Sequence, residues 1–207
     1  MNNIKKPIIK ICLDEKNINE ITDEIIYDSL FIDNSLNKMI SNIEFNGCKF
    51  KNIKFMDYPL NNIDFIDCVF DECNLLNMKI IDKTFLRCRF NNCSMQGVII
   101  IDSSIKDVIF NDCNLKYINI SSRLNNVLFR NCNISSARIF DSLFKKVIFD
   151  MCDLSYLSIN KTSLNNMDLS TCKIDNINAD IESIKGVTTD INGVIILSKI
   201  FDINVKL

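Results

Sequence analysis

The chain has 207 residues, and its 24 basic and 26 acidic side chains give a formal net charge of -2. Such a chain lacks the excess of lysine and arginine typical of nucleic-acid-binding proteins, so we expect no direct binding to nucleic acid. Histidine is absent, which excludes Ser-His-Asp catalysis and HExxH zinc sites. Apolar residues make up 47% of the chain, enough for the core of one domain or at most two small ones.

The N-terminal residues do not resemble a targeting or membrane segment. Lys10 interrupts the apolar stretch that begins at Pro7 before the core of a signal peptide can form. No apolar run approaches the roughly 18 residues of a membrane-spanning helix. We therefore expect a cytoplasmic protein without membrane contact, whose cysteines are free thiols. Residues 1–15 are predicted to form an N-terminal cap or extension.

Apolar residues then recur at every fifth position over most of the chain. One residue is lost between Ile120 and Leu124, after which the same spacing resumes. A five-residue period fits neither the α-helix nor the β-strand, so the backbone must coil in another regular way. The positions are Phe45, Phe50, Phe55, Leu60, Phe65, Phe70, Leu75, Ile80, Phe85, Phe90, Met95, Ile100, Ile105, Phe110, Leu115, Ile120, Leu124, Phe129, Ile134, Ile139, Phe144, Phe149, Leu154, Ile159, Leu164, Leu169, Ile174, Ala179 and Ile184.

The cysteines reveal a larger period. All but one of them stand two residues before an apolar position, and they form two columns with steps of 20, or of 19 where the residue is lost. Four five-residue steps therefore close one turn, and like residues stack on like. One column is Cys48, Cys68, Cys88, Val108, Val127 and Val147, and the other is Ile53, Cys73, Cys93, Cys113, Cys132, Cys152 and Cys172.

These periods predict an all-β fold for residues 1–187, a right-handed quadrilateral parallel β-helix. Each side points two residues inward, the large central one and a smaller one two positions earlier. Stacked turns would pair as parallel strands about 4.8 Å apart. The even spacing excludes a leucine-rich repeat, which needs the uneven LxxLxLxxN pattern. We interpret the inward cysteines as small apolar side chains, and because no CxxC pair occurs we predict no metal site and no cofactor.

The C-terminal segment, residues 188–207, departs from the repeat and is predicted to form a short α-helix followed by a strand. Asp190 is a candidate N-cap for a helix over residues 191–201. The last turn of a solenoid exposes its core, so we expect this helix to cover it. Its apolar residues are too many for one face, and the surplus predicts a dimer interface. The candidate interface residues are Val194, Ile195, Leu197, Ile200, Phe201 and Ile203.

Five-residue units such as Cys68–Glu72 and Cys113–Tyr117 resemble those of pentapeptide-repeat proteins. Gly186 and Val187, followed by the short apolar helix, are similar to the end of the Qnr-type quinolone-resistance proteins. The chain lacks the loop insertions of plasmid-borne members and is closer to their chromosomal Gram-positive relatives. The resemblance implies a homodimer joined through the C-terminal ends. It also implies that the protein binds DNA gyrase or topoisomerase IV and protects it from quinolones.

A row of carboxylates is the candidate binding site. Asp82, Asp102 and Asp141 share one outward corner position, with Asp180 nearby and Asp23 further along. Carboxylates at regular spacing along a rod can imitate the phosphates of DNA, which is what the resemblance implies for topoisomerase binding. An ordinary solvated corner is an equally good reading of the same residues. Outward apolar residues on this side are a candidate interaction patch or a result of the isoleucine-rich composition; they are Ile81, Ile99, Ile101 and Phe140.

The sequence therefore favours a non-catalytic protein that binds a type II topoisomerase. The alternative is a pentapeptide-repeat scaffold or immunity protein that binds another protein partner. An enzyme is disfavoured, because the chain has no histidine and no glycine-rich phosphate loop. Large apolar side chains at every central position would also leave no internal pocket.

Overall fold

The computed structural model describes residues 4–22, 24–55 and 61–206, and short strands dominate it. Every strand pair in it is parallel. The strands are β1 (Asp14–Glu15), β2 (Ile25–Tyr27), β3 (Ser29–Ile32), β4 (Ser35–Leu36), β5 (Ser41–Asn46), β6 (Lys49–Lys51), β7 (Lys54–Phe55), β8 (Asn61–Ile66), β9 (Val69–Asp71), β10 (Lys79–Ile81), β11 (Thr84–Leu86), β12 (Arg89–Asn91), β13 (Ile99–Asn111), β14 (Asn119–Arg130), β15 (Arg138–Phe140), β16 (Leu143–Asp150), β17 (Ser158–Asn160) and β18 (Asn178–Ala179).

The strand register confirms the predicted period. Phe70 pairs with Phe90, a step of 20, whereas Ile105 pairs with Leu124, a step of 19, because one residue is missing from that turn. The chain is thus a right-handed quadrilateral parallel β-helix of about seven turns with a short C-terminal helix, as the sequence predicts. Leu60, one of the predicted inward positions, lies outside the described residues.

We name the four sides of the coil after the side chains that stack on them, and the central residue of each side points into the core. The phenylalanine side has Phe31, Phe50, Phe70, Phe90, Phe110, Phe129 and Phe149 at its centre. The cysteine side has Leu75, Met95, Leu115, Ile134 and Leu154. The isoleucine side has Ile80, Ile100, Ile120, Ile139 and Ile159. The hydroxyl side has Phe85, Ile105, Leu124, Phe144 and Leu164.

The residue two places after each central residue turns the chain into the next side. At nearly every corner this residue has a positive φ, for example 53° at Asn92 and 53° at Asp112. Asn and Asp tolerate this left-handed conformation better than most residues, because their short polar side chains form local hydrogen bonds. The abundance of outward Asn and Asp therefore has a backbone cause.

The stacked cysteines are more than apolar filler, which corrects part of the sequence interpretation. Sγ of Cys93 lies 3.4 Å from the carbonyl oxygen of Phe70 in the preceding coil, and this contact repeats at Cys132 and Cys152. Sγ of Cys113 likewise lies 3.4 Å from the carbonyl oxygen of Phe90 in the preceding coil. The thiols satisfy buried backbone groups that the strand ladder leaves unpaired, and such groups are costly to leave without a partner.

The C-terminal segment covers the last coil. It contains α1 (Ile181–Ile184), α2 (Ile191–Ser198) and a 3-10 helix (Lys199–Phe201), and a second 3-10 helix lies near the start of the chain (Ile18–Glu20). Asp190 is the N-cap of α2, as predicted, and its carboxylate accepts a hydrogen bond from Gly193 N at 2.8 Å. The strand expected after the helix is not formed in the described part of the tail. Residues 203–206 have no regular secondary structure.

The N-terminal residues do not sit at the end of the first coil. Residues 4–13 run across the coils, and the backbone N–H of Lys5 reaches Oδ1 of Asp107 at 3.4 Å. The predicted N-terminal extension is therefore a segment that lies along the side of the β-helix.

Candidate partner-binding groove

An open groove of about 510 Å³ follows the corner between the isoleucine side and the hydroxyl side. It extends over several coils, so it runs along the β-helix rather than around it. Its lining contains the predicted acidic row. The lining residues are Asp82, Lys83, Thr84, Asp102, Ser103, Ser104, Ser121, Ser122, Arg123, Asp141 and Leu143.

The wall of the groove is built from serine and threonine hydroxyls. On the hydroxyl side, the residue two positions before the centre carries a buried hydroxyl, where the phenylalanine side has cysteine or valine. Ser103 is 2% exposed and Ser122 is 6% exposed. The column consists of Ser103, Ser122, Ser142, Thr162 and Ser183, and Lys83 precedes it.

Each hydroxyl in this column links two coils. Oγ of Ser122 accepts a hydrogen bond from the backbone N–H of Ser103 at 3.0 Å and donates to the carbonyl oxygen of Ile100 at 3.2 Å. The pattern repeats at Ser142 and Thr162, whose hydroxyls accept from the backbone N–H of Ser122 and of Ser142 in the preceding coil, at 3.1 and 3.0 Å. Because these hydroxyls and backbone N–H groups are hydrogen-bonded to one another, serine and threonine occupy the inward positions without leaving buried polar groups unpaired. Ser103 and Ser122 also line the groove.

The corner at which the repeat is one residue shorter also lies in this groove. Between Ile120 and Leu124 the chain has no corner residue of positive φ, and Ser121 leads directly into Ser122. The acidic row is therefore interrupted at this coil. Arg123 lines the groove there and is exposed.

Three of the four predicted acidic residues lie together, as the row requires. Asp82, Asp102 and Asp141 are exposed, occupy the same corner position with φ of 55°, 50° and 47°, and line the groove. Asp102 is one coil from Asp82 and two coils from Asp141, so their backbones lie about 5 and 10 Å apart along the axis. Asp23, the further member of the predicted row, lies outside the described residues.

Asp180, the fourth predicted residue, is not in the lining of this groove. It is the N-cap of α1, and its carboxylate accepts hydrogen bonds from the backbone N–H of Lys161 and of Ser183, both at 2.7 Å. The hydrogen bond from Lys161 N, followed by those at Ser183, lowers the pKa of Asp180. Asp180 thus closes the end of the hydroxyl column, since Ser183 is the last member of that column.

Cations and apolar side chains complete the surface. Nζ of Lys83 lies 2.9 Å from the carbonyl oxygen of Asp82 and 3.3 Å from Oδ1 of Asn62. The lining thus contains both acidic and basic side chains, Lys83 and Arg123 being the basic ones. Its apolar margin is exposed: Ile81 is 45%, Phe140 49% and Leu143 68% accessible. In the coil after Asp141, Lys161 occupies the corner position that the aspartates of the row occupy in theirs. Its Nζ lies 5.1 Å from the centre of the Phe140 ring.

The predicted dimer residues divide between two roles. Leu197 is buried, and Ile200 is partly buried and packs against the core, so both cover the last coil. Ile195 is half-buried. Val194, Phe201 and Ile203 are 58%, 46% and 56% exposed and form an apolar end surface with Ile191.

The groove has the chemistry of a protein-binding surface. Its aspartates and hydroxyls accept hydrogen bonds from basic or amide groups, while the apolar margin can be covered by a partner. Among the residues that the structure describes, no cluster of His, Cys, Asp or Glu has the geometry to hold a metal ion. The described helices also include none that is long and apolar enough to cross a membrane.

A four-sided β-helix of five-residue steps, with a polar corner groove and a helical end, defines a class of solenoid that presents surfaces rather than an enclosed pocket. The model of the pentapeptide repeat region matches residues 38–120 and 83–150, which together are more than half of the chain. The protein belongs to the pentapeptide-repeat family.

Comparison with known proteins adds fold relatives. No curated protein sequence matches the chain. A trypsin-treated variant of QnrB1, a plasmid-mediated fluoroquinolone resistance protein, is 22% identical over 93% of this chain and 95% of its own, with a TM-score of 0.40. HetL, a pentapeptide repeat protein involved in heterocyst differentiation regulation from the cyanobacterium Nostoc sp. strain PCC 7120, is 11% identical over 79% of this chain and 86% of its own, with a TM-score of 0.39.

Proposed function

We propose that the protein is a non-enzymatic, Qnr-like binder of a type II topoisomerase, DNA gyrase or topoisomerase IV, and that it protects this enzyme from quinolones. The observation that carries the proposal is the exposed row of Asp82, Asp102 and Asp141 in an open groove of a stiff β-helix. A topoisomerase presents a basic surface to DNA, and regularly spaced carboxylates are complementary to such a surface.

The rigidity of the β-helix favours this role. Its core is filled by stacked side chains, and successive coils are joined by parallel hydrogen bonds, so the aspartates are held in position before the partner arrives. A preformed surface loses little conformational entropy on binding. Protection would follow from competition with DNA for the enzyme, or from destabilisation of the cleavage complex that the drug traps.

The lining is not uniformly acidic, because Lys83 and Arg123 lie beside the aspartates. This favours a second candidate function, a scaffold or immunity protein whose partner carries both charges. The exposed apolar margin at Phe140 and Leu143 supports the same candidate, since exposed aromatic and apolar side chains are common at the centres of protein interfaces.

A supercoiling assay distinguishes the two functions. Purified gyrase, relaxed plasmid and ciprofloxacin are combined with increasing amounts of the protein, and we expect supercoiling to be restored. Asp102→Lys should weaken protection by about tenfold, since it places a cation against a basic partner surface. No restoration, together with no measurable binding to gyrase or topoisomerase IV, would contradict topoisomerase protection and favour the scaffold.

Asp112→Lys is the matched control. Asp112 is exposed, has a φ of 53° against 50° at Asp102, and lies at another corner of the coil. The substitution makes the same change of charge at a corner of similar φ, but away from the groove. It also removes the hydrogen bond that Asn131 donates to Oδ1 of Asp112. We expect protection to be retained in this variant, and an equal loss in both variants would assign the effect to net charge or folding rather than to the groove.

We further propose that the protein is a homodimer joined through its C-terminal ends. Val194, Phe201 and Ile203 leave an apolar surface exposed at the end of the β-helix, and a second copy would cover it by symmetry. Sedimentation equilibrium should give twice the chain mass, and Val194→Glu should give a folded monomer. A native protein that sediments as a monomer at micromolar concentration would contradict this assignment.

A further inference from the structure

One corner of the β-helix is occupied by the chain's own N-terminal segment. We call residues 4–13 the strap. It lies on the corner between the hydroxyl side and the phenylalanine side. Lys5 N donates to Oδ1 of Asp107 at 3.4 Å, and Ile8 N donates to Oδ1 of Asp67 at 2.9 Å. Further along, Nζ of Lys10 lies 2.6 Å from Oδ2 of Asp28.

The two backbone contacts of the strap are spaced as an extended chain requires. Asp67 and Asp107 occupy the same corner position, with φ of 54° and 55°, on coils two apart. Two coils rise by about 9.6 Å, and three residues of extended chain span about 10 Å. Lys5 and Ile8 are three residues apart and therefore meet acceptors two coils apart. The corner therefore matches an extended chain over this interval, and the third contact is made by the side chain of Lys10.

The acceptors are held in place by the β-helix itself. Asp67 and Asp107 are each 4% exposed. Both oxygens of Asp67 pair with Arg87, at 2.6 Å to Nε and 2.5 Å to Nη2. Asn126 donates to the carboxylate of Asp107. Carboxylates fixed in this way present oriented oxygens to whatever chain lies on the corner.

The strap itself is held by few contacts. Ile8 is 71% exposed and Ile11 is fully exposed, and no residue of the strap is fully buried. The half-buried ones are Ile4, Pro7, Ile9 and Leu13. Lys10 is 70% exposed in its ion pair with Asp28. Its polar contacts with the described coils are two backbone hydrogen bonds to carboxylates and one ion pair, and the ion pair is weakened by its exposure to solvent. Segments with so few buried contacts open locally while the rest of the protein stays folded.

We propose that this corner is a docking track for an extended, lysine-bearing segment of a partner protein, and that the strap is its resident occupant. The track takes main-chain N–H groups at Asp67 and Asp107 and a lysine ammonium at Asp28. The strap shows the chemistry that fits, since it is extended and carries Lys5, Lys6 and Lys10. A partner segment of the same kind displaces it. This surface is separate from the groove at Asp102, so the proposal does not depend on topoisomerase binding.

The test weakens the strap without altering the track. Ile8→Pro removes the N–H that donates to Asp67 and leaves every coil residue unchanged. Ile11→Pro is the matched control, because Ile11 is fully exposed and its N–H makes no hydrogen bond to a described residue. The probe is a fluorescently labelled peptide with the sequence of residues 4–11, and its binding to the full-length proteins is followed by fluorescence anisotropy.

In the native chain the tethered strap competes at an effective concentration on the order of millimolar, so the probe should bind weakly. We expect Ile8→Pro to bind the probe about tenfold more tightly than the native chain, as the loss of one hydrogen bond from the competing strap implies. Ile11→Pro should match the native chain. A probe with glutamate in place of its three lysines should not bind to any of the proteins.

Three results would overturn the proposal. They are equal affinity of the native chain and Ile8→Pro for the probe, equal binding of the charge-reversed probe, and no saturable binding to Ile8→Pro up to about 1 mM probe. Urea unfolding of all three proteins is the folding check. A large loss of stability in Ile8→Pro alone would make the strap a structural element and would also overturn the proposal.

Discussion

The phenylalanine side and the hydroxyl side are neighbours in every coil, yet they solve the same packing problem differently. On the phenylalanine side, aromatic rings stack face to face, with centroids 4.5 Å apart between Phe70 and Phe90 and 4.9 Å apart between Phe90 and Phe110. On the hydroxyl side, small side chains such as Ser122 bond to the backbones of adjacent coils. The first side carries the long aromatic stack, and the second carries the hydroxyl column beside the open groove.

The difference shows how a repeat that fixes the backbone still leaves room for a binding surface. The central residue of each side must be large and apolar to fill the core. The residue two places earlier needs only to be small and to satisfy backbone groups, which a thiol or a hydroxyl both do. The open groove that holds the acidic row runs along the column that carries hydroxyls.

The largest effect should come from the phenylalanine side. Phe90→Ala removes a ring that is 1% exposed and stacked on both faces, so we expect the free energy of unfolding to fall by about 3–5 kcal/mol. Urea unfolding followed by circular dichroism measures the change. Phe140→Ala is the control, because Phe140 is 49% exposed, and its effect should stay within about 0.5 kcal/mol. Similar losses in the two variants would contradict the account of the stack.

The hydroxyl side should respond to loss of a single oxygen atom. Ser122→Ala leaves the buried N–H of Ser103 without its acceptor, so the free energy of unfolding should fall by about 1–3 kcal/mol. Ser122→Thr should be close to native, since Thr162 fills the equivalent position two coils away. If alanine is as stable as threonine at this position, the hydroxyl column does not hold the coils together.

The cysteine column makes stability depend on pH. The hydrogen bond between the thiols of Cys132 and Cys113, together with burial, raises the pKa of Cys132 to about 12. An unfolded thiol has a pKa near 8.5, so the unfolded chain loses this proton first, and the stabilisation falls as the pH rises from about 8.5 towards 12.

Substitution of one thiol measures this effect. Between pH 7.5 and pH 10, the free energy of unfolding should fall by on the order of 1–2 kcal/mol less in Cys132→Val than in the native chain. Valine is the natural control residue, because Val127 has the equivalent place in the neighbouring column. An unchanged alkaline slope in Cys132→Val would mean that this thiol does not differ in protonation between the folded and unfolded chains.

The smallest effect concerns the end of the hydroxyl column. Asp180→Ala removes the N-cap of α1, and at neutral pH it should cost about 1 kcal/mol. The pKa of Asp180 is lowered in the folded protein, so its contribution is present above its ordinary pKa near 3.9 and is lost as the pH falls through the folded value. The native chain and the variant should therefore converge in acid. Asp180→Asn, which can still cap, should remain close to native, and a constant difference at all pH values would contradict the assignment.

The backbone was predictable because its signal is repeated. The five-residue spacing and the cysteine columns specify the four-sided coil, and Asp190 marks the start of the C-terminal helix. The acidic row at Asp82, Asp102 and Asp141 was also predictable, because residues at equal positions of a repeat share a corner.

The parts that sequence reasoning missed depend on contacts without a local signature. The serines at positions 103, 122 and 142 do repeat at the coil period, and that period was the available signal for the hydroxyl column. Arg123 enters the groove only because the lost residue shortens that corner. No period places Ile8 beside Asp67, since that contact joins the N-terminal extension to a distant coil.

The central claim is that the polar, open side of the β-helix is the side that binds. Hydrogen–deuterium exchange of the protein, alone and saturated with purified DNA gyrase, tests this claim most directly. We expect the amides of residues 82–84, 102–104, 121–123 and 141–143 to exchange more slowly in the complex, with residues 89–93 unchanged. Slower exchange confined to the phenylalanine and cysteine sides, or no change along the groove in a complex that forms, would contradict the account.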